Sequence, residues 1–110
     1  MAIINTLVDG AAANAIFTAN TGTEYAITTM IFCNTDPTVD ALLNIWLVPF
    51  GNVPGTSTGQ IIKNLSLPAM ETFVMDSEKL ILASQDAIWA QVDVLASNNV
   101  NATVSYVQIS

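Results

Sequence analysis

The chain of 110 residues is long enough for one domain with its own core, and 52% of its residues are hydrophobic whereas only 10% are charged. It has no His, no Arg, only two Lys and a single Cys, with a formal net charge of −7. It therefore lacks the histidine that usually activates a Ser or Cys nucleophile and the usual transition-metal ligands, and it has few of the cations that bind phosphate groups. We therefore expect no enzymatic activity, no cofactor and no metal, and neither nucleic acid nor a membrane as a partner.

The first predicted element is an N-terminal segment, residues 1–14, which precedes the regularly alternating part of the chain. Its apolar residues have no hairpin partner next to them in the sequence: Ile3, Ile4, Leu7 and Val8. The segment is predicted to be either the first strand or an arm that adds a strand to the sheet edge of a neighbouring molecule. Residues 15–110 are predicted to form the folded domain.

From residue 15 onwards, apolar and polar side chains alternate with a period of two, and Gly, Pro, Asn and Asp interrupt the alternation at short intervals. The alternating stretches predict strands over residues 15–18, 24–33, 41–49, 60–67, 72–76, 80–82, 87–96 and 100–108. No amphipathic helix is predicted. This spacing is typical of an all-β fold, and we expect an antiparallel β-sandwich of about eight short strands with jelly-roll or immunoglobulin-like topology.

The alternation also predicts a hydrophobic core. Within residues 24–33 the odd-numbered side chains are expected to face inward, which places Met30 and Phe32 on the outer face. Cys33 is predicted to be a small buried hydrophobe. The predicted core consists of the aliphatic face of each strand: Ile27, Ile31, Leu43, Ile45, Leu47, Leu65, Leu67, Ile88, Val92, Val94 and Val104.

Trp46 and Trp89 alternate out of phase with the aliphatic residues of their own strands. Both indoles are therefore expected to point away from the core, where exposed aromatic side chains usually mark a contact surface. The alternative is that one tryptophan lies under the N-terminal segment. The predicted interface combines these side chains with the outward residues of the third strand and of the arm: Trp46, Trp89, Met30, Phe32, Ile3, Ile4 and Leu7.

The predicted loops contain weaker candidates. Asp36 with Asp40, and Asp76 with Glu78, are acid pairs that either hold a calcium ion or are solvated turn residues. The Gly-rich stretch 51–59 is either a flexible connection or a protruding contact loop. It lacks the Lys and the following helix of a phosphate-binding loop.

Four runs along the chain resemble a known family. Residues 31–35 contain Cys-Asn-Thr at a strand end, residues 43–49 end in Val-Pro, residues 67–72 contain a Pro-Ala-x-Glu turn, and residues 80–90 contain Leu-x-x-x-Asp-x-Ile-x-Ala. This pattern is similar to that of small β-sandwich virion proteins of tailed bacteriophages. Gln85 departs from the Gly that the resemblance leads us to expect before Asp86, which puts the backbone conformation of that turn in doubt.

The resemblance implies a non-enzymatic structural protein of the virion, assembled in the host cytoplasm as a homo-oligomer, with three as the implied number of copies. Our first hypothesis is a capsid decoration or cement protein that binds the major capsid protein and stabilises the phage head. The second is a tail, baseplate or fibre component that binds tail proteins. A third, from another class, is a carbohydrate-binding module with Trp46 or Trp89 as the sugar platform.

Overall fold

The computed structural model describes residues 2–8, 14–51, 59–75, 80–92 and 100–109. Within these ranges the chain forms strands and no helix: β1 (Ala2–Val8), β2 (Asn14–Thr18), β3 (Tyr25–Asn34), β4 (Ala41–Val48), β5 (Gln60–Leu67), β6 (Thr72–Met75), β7 (Leu80–Leu82), β8 (Ala87–Val92) and β9 (Val100–Gln108). The predicted continuation of a strand over residues 93–96 lies outside the described residues.

The strands form two antiparallel sheets, which confirms the predicted β-sandwich. Sheet A has the order β1-β9-β3-β6, with β7 paired to β3 beyond the end of β6, and sheet B has the order β2-β8-β4-β5. The pairs are nested, the first strand with the last and the fourth with the fifth, as in a long hairpin folded over on itself. This nesting is the jelly-roll arrangement, one of the two topologies that the sequence left open.

The N-terminal segment is a strand of the same molecule. β1 pairs antiparallel with β9 along its whole length, from Ala2 opposite Tyr106 to Val8 opposite Val100, and forms one edge of sheet A. Its main-chain hydrogen bonds on one side are therefore made within the chain. Of the two predictions for this segment, the structure shows the first strand.

The core lies between the two sheets and contains most of the predicted residues. Those that are buried there are Ile27, Leu43, Ile45, Leu67, Ile88, Val92 and Val104. Leu47 and Leu65 are half-buried and pack against this cluster. Val94 lies outside the described residues.

One additional residue in β3 changes which of its side chains face the core. β3 pairs with β9 as Ile27 opposite Tyr106 and then Thr29 opposite Ser105, so Thr28 has no opposite residue and forms a β-bulge. The Thr28 hydroxyl donates a hydrogen bond of 3.1 Å to the carbonyl oxygen of Ser105, which holds the bulge against β9.

Beyond this bulge the alternation of β3 is reversed relative to the prediction. Met30 and Phe32 are 1% and 0% exposed and lie in the core, so their predicted place on the outer face is wrong. Ile31 and Cys33, predicted to be buried, are half-buried on the outer face of sheet A. A strict two-residue period places all side chains beyond an inserted residue on the wrong face.

Asn34, at the end of β3, joins the two sheets through its buried carboxamide. Its Nδ2 donates hydrogen bonds of 3.0 Å to the carbonyl oxygens of Val39 and Leu67, and its Oδ1 accepts the backbone N–H of Asp36 at 3.0 Å. Leu67 is the last residue of β5, so this side chain connects sheet A to sheet B. Because both amide hydrogens and the oxygen have partners, burial of the group carries little desolvation penalty.

Two turns that cross between the sheets hold a non-glycine residue in the left-handed region. Met70 (φ 65°) and Gln85 (φ 66°) are the third residues of turns 68–71 and 83–86. In each turn the N–H of the fourth residue donates a 3.1 Å hydrogen bond to the carbonyl oxygen of the first. Gln85 therefore adopts a conformation that favours glycine, although glycine is absent there.

Candidate protein-contact surface

Charged side chains are almost absent from the sheets. Of the nine acidic residues and two lysines in the chain, only Lys63, in β5, lies in a strand that the structure describes. The acids of the described connections lie at the two ends of the sandwich: Glu24, Asp36, Asp40, Glu71 and Asp86. Among the described residues, the charge is thus concentrated at the ends of the sandwich, and the faces of the sheets are left nearly neutral.

Two of these acids bind backbone amides at one end of the sandwich. Asp36 Oδ1 accepts the N–H groups of Thr38 and Val39 at 2.9 Å each. These two backbone hydrogen bonds, first that from Thr38, hold the pKa of Asp36 below its ordinary value. Asp40 Oδ1 accepts the N–H of Ala69 at 3.0 Å. Both acids are turn residues, as the second of the two interpretations has it, and their carboxylates are bonded to backbone amides rather than only solvated.

Asp86 has the same role at the other end, where Oδ1 accepts the N–H of Phe50 at 3.0 Å and Oδ2 that of Ala83 at 3.1 Å. Across the described ranges, no three His, Cys, Asp or Glu side chains lie together as a metal ion requires. Asp76 and Glu78, and residues 52–58 of the predicted contact loop, lie outside those ranges. Asp36, Asp40 and Asp86 therefore stabilise loops.

The outer face of sheet A is built from side chains that alternate with the core residues of β1, β9, β3, β6 and β7. All of those described are apolar or uncharged, and we refer to them as the neutral face: Ile3, Asn5, Leu7, Ala26, Thr29, Ile31, Cys33, Thr72, Val74, Ile81, Asn101, Thr103, Ser105 and Val107. A solvated sheet face usually includes Lys or Glu among its polar residues.

The exposed apolar side chains of the neutral face lie along its two edges. Ile3 and Leu7 in β1 are 64% and 52% exposed, and Val74 and Ile81 in β6 and β7 are 48% and 55% exposed. Between them, Ile31 and its neighbours are half-buried by the packing of side chains within the sheet. The result is a broad uncharged surface with exposed apolar groups at both margins, and exposed apolar groups of this size are a feature of protein contact sites.

Some polar groups of the neutral face have hydrogen-bond partners within the sheet. The Thr103 hydroxyl donates a hydrogen bond of 2.6 Å to Asn5 Oδ1 on the neighbouring strand. The Thr28 hydroxyl, at the bulge, lies 3.0 Å from the hydroxyl oxygen of Ser105. Polar groups that already have partners within the chain lose less when water is removed, so covering these groups costs less than covering unpaired ones.

The outer face of sheet B differs because part of it is buried within the chain itself. Trp46, Val48 and Ala87 alternate with core residues of β4 and β8, yet they are only 4%, 7% and 6% exposed. Ile45 is fully buried on the inner face, so the predicted phase of β4 is confirmed. The predicted exposure of Trp46 is wrong, since alternation assigns a face and does not reveal what covers it. Trp89, directly opposite Trp46, is half-buried.

Sheet B is also irregular at its β5 edge. The register between β4 and β5 shifts around Asn64, whose φ is 53°. The Asn44 carboxamide fills this irregularity, since its Oδ1 accepts the N–H of Asn64 at 2.9 Å and the Nε2 of Gln60 at 3.0 Å. Bulges of this kind protect an edge from pairing with another strand.

The predicted interface residues therefore do not form one surface. Ile3 and Leu7 belong to the neutral face, whereas Ile4 lies on the other side of β1 and is 40% exposed. Met30 and Phe32 belong to the core, and the two tryptophans belong to sheet B. The structure brings together only two of the seven on the neutral face.

Sequence reasoning missed Val74 and Ile81. Both alternate with residues that pack against the core, so a signal for their outward direction was present in each short strand. Their joint position opposite β1 depends on β6 and β7 following one another along the same side of β3, which the sequence does not reveal.

A small depression lies between the two sheets at one end of the sandwich. Its volume is about 140 Å³, below the 300 Å³ or so at which small-molecule pockets begin. The lining is apolar apart from one carboxylate: Leu47, Val48, Pro49, Leu80, Ile81, Leu82, Asp86 and Ala87. The depression offers too little space and too few polar groups for a sugar or a cofactor.

No protein-family model matches the chain, and a search of curated proteins finds no similar sequence. The resemblance to tailed-bacteriophage virion proteins therefore stays a prediction. In the described part of the chain, no helix has the length and apolar character that crossing a membrane requires.

Proposed function

We propose that the protein is a non-enzymatic structural component of a bacteriophage virion, a homo-oligomer that decorates the head and stabilises it by binding the major capsid protein. The observation that best supports a structural role is the neutral face, since a broad surface without charged side chains and with exposed apolar groups suits lasting contact with protein. The assignment to a virion rests on the resemblance of the sequence runs between residues 25 and 107.

The chemistry of the chain supports a role without catalysis. It has no His or Arg in its whole length, and the described carboxylates Asp36, Asp40 and Asp86 accept backbone hydrogen bonds in turns. Carboxylates engaged in this way stabilise the loops. In this proposal the protein acts by binding other proteins through the neutral face.

The fold is compatible with the proposal and with one competing hypothesis. Jelly rolls occur in viral capsid proteins and also in lectins, so topology alone does not separate a virion protein from a carbohydrate-binding module. The burial of Trp46 counts against that residue as a sugar platform, because a platform needs an exposed ring face, and the half-buried Trp89 is the position left to the module hypothesis. A tail, baseplate or fibre component remains the second candidate on the same resemblance.

Deletion of the gene from the phage that encodes the chain tests the proposal, with complementation by the intact chain as the control. We expect the deleted particles to keep their tails and to release DNA at a lower temperature, because heads without a cement protein are less stable. Antibody labelling of intact particles should mark the heads. Labelling of the tail would favour the second candidate, and absence of the chain from purified particles would refute both.

A further inference from the structure

We propose that the neutral face is the surface through which copies of this chain contact one another. The inference rests on the self-association included in the proposed function, but it is independent of the virion. It assigns the occupant of the face, a second copy of the chain, and the residues that the second copy covers.

The distribution of charge favours a second copy as the occupant. Two molecules with a formal net charge of −7 repel each other, and contact between their acidic ends would place like charges together. The neutral face is the surface where this cost is smallest, because no charged side chain is found on it among the described residues. A basic partner would form no ion pair with this face. An uncharged partner surface, such as the same face of a second copy, is therefore the better fit.

The size of the face is sufficient for a specific contact. β9 has 9 residues, and the face is four strands wide if β6 and β7 are taken together. At about 3.3 Å per residue and about 4.8 Å between strands, it measures roughly 30 Å by 19 Å, or about 600 Å² before side-chain relief is added. Specific interfaces bury about 600–1,000 Å² on each partner.

The positions of the apolar side chains also suit contact between sheets. Ile3 and Leu7 lie along one edge, and Val74 and Ile81 along the other, so a second sheet packed on the face covers apolar groups at both margins. Between them, the Thr103 hydroxyl is already bonded to Asn5. Covering the face therefore removes apolar surface from water and leaves these polar groups paired.

Cys33 provides a native probe for the test, because it is the single cysteine of the chain and lies half-buried on the neutral face. The association state of the full chain is measured by sedimentation velocity over a micromolar concentration range, and the rate of Cys33 alkylation is measured at the same concentrations. We expect an oligomer at high concentration and an alkylation rate that falls by about tenfold or more as it forms.

Substitutions separate this face from the rest of the surface. Val74→Lys and Ile81→Lys place a charge within the proposed contact, and Ile61→Lys, on β5 of sheet B, is the matched control at an exposed isoleucine. Circular dichroism and thermal melting establish that each variant is folded. We expect the first two to raise the concentration needed for association by about tenfold or more, and the control to leave it nearly unchanged.

Other outcomes would overturn the inference in distinguishable ways. The chain could form an oligomer in which Cys33 reacts as fast as in the monomer, or one that all three substitutions weaken equally. Either result would show that the chain self-associates, but through a surface other than the neutral face. A monomer at all concentrations refutes both self-association and the neutral face as its surface. None of these results bears on attachment to the phage head, which the particle experiment tests separately.

Discussion

The two sheets present different outer faces, although their strands have the same two-residue alternation. Sheet A leaves Ile3, Leu7, Val74 and Ile81 exposed, whereas sheet B buries Trp46 within its own chain. An outward-facing apolar residue therefore marks a contact surface only where the chain leaves it uncovered. This comparison moves the candidate interface from the tryptophans to the uncharged face of sheet A.

The inner and outer faces of β3 give the sharpest stability contrast within sheet A. We expect Phe32→Ala to lower the free energy of unfolding by about 3–5 kcal/mol, because it opens a cavity in the core. Ile31→Ala, one residue earlier on the neutral face, should cost only about 1 kcal/mol in the monomer. Denaturant unfolding of both variants measures the difference. Equal costs would show that the Thr28 bulge does not reverse the strand.

The same comparison applies to the two tryptophans of sheet B. Trp46→Ala should lower the free energy of unfolding by about 3 kcal/mol, because the indole is almost completely buried within the chain. Trp89→Ala, at the half-buried position opposite, should cost about 1 kcal/mol. Fluorescence of the remaining tryptophan reports the unfolding of each variant. If loss of Trp46 is tolerated as well as loss of Trp89, the outer face of sheet B is open and the contrast between the sheets fails.

The carboxamide of Asn34 tests how strongly the two sheets are connected. Asn34→Ala should lower the free energy of unfolding by about 2–3 kcal/mol, because the buried carbonyl oxygen of Leu67, the carbonyl oxygen of Val39 and the N–H of Asp36 lose their partner. Asn101→Ala is the matched control, since its amide makes one long contact of 3.5 Å on the neutral face. Thermal unfolding compares the two, and a control as damaging as Asn34→Ala would contradict the connecting role.

The smallest expected effect is a gain in stability at a turn between the sheets. Met70→Gly should raise the free energy of unfolding by about 0.5 kcal/mol, because the relief of about 1–2 kcal/mol of steric cost at a positive φ exceeds the entropic cost of about 0.5–1 kcal/mol that glycine adds. Ala69→Gly, in the same turn but without a positive φ, should lower it by about 0.5–1 kcal/mol through the entropy of the unfolded chain. Melting temperatures should therefore move in opposite directions, and a shift in the same direction would argue against strain at Met70.

The two-residue alternation, and the Gly, Pro, Asn and Asp residues that interrupt it, predicted the sandwich, the strand positions and most of the core. They did so because burial of one face imposes alternation on each strand. They failed where one residue changes the phase: Thr28 reverses β3, so Met30 and Phe32 were assigned to the wrong face. They also could not show that Trp46 is covered, since alternation assigns a side chain to a face and does not reveal its burial. The pairing of β1 with β9 was left open, because alternation does not reveal which strands pair.

The nested strand order also determines how the protein reaches its folded state. Among the described strands, only β4 and β5 are both consecutive in sequence and paired, so folding is expected to begin there and to proceed outward. β1 must wait for β9, its partner from the far end of the sequence. The neutral face needs both strands, and it is therefore complete only when the whole sandwich has formed. Nascent chains lack the surface proposed for contact between copies, so association through it follows folding.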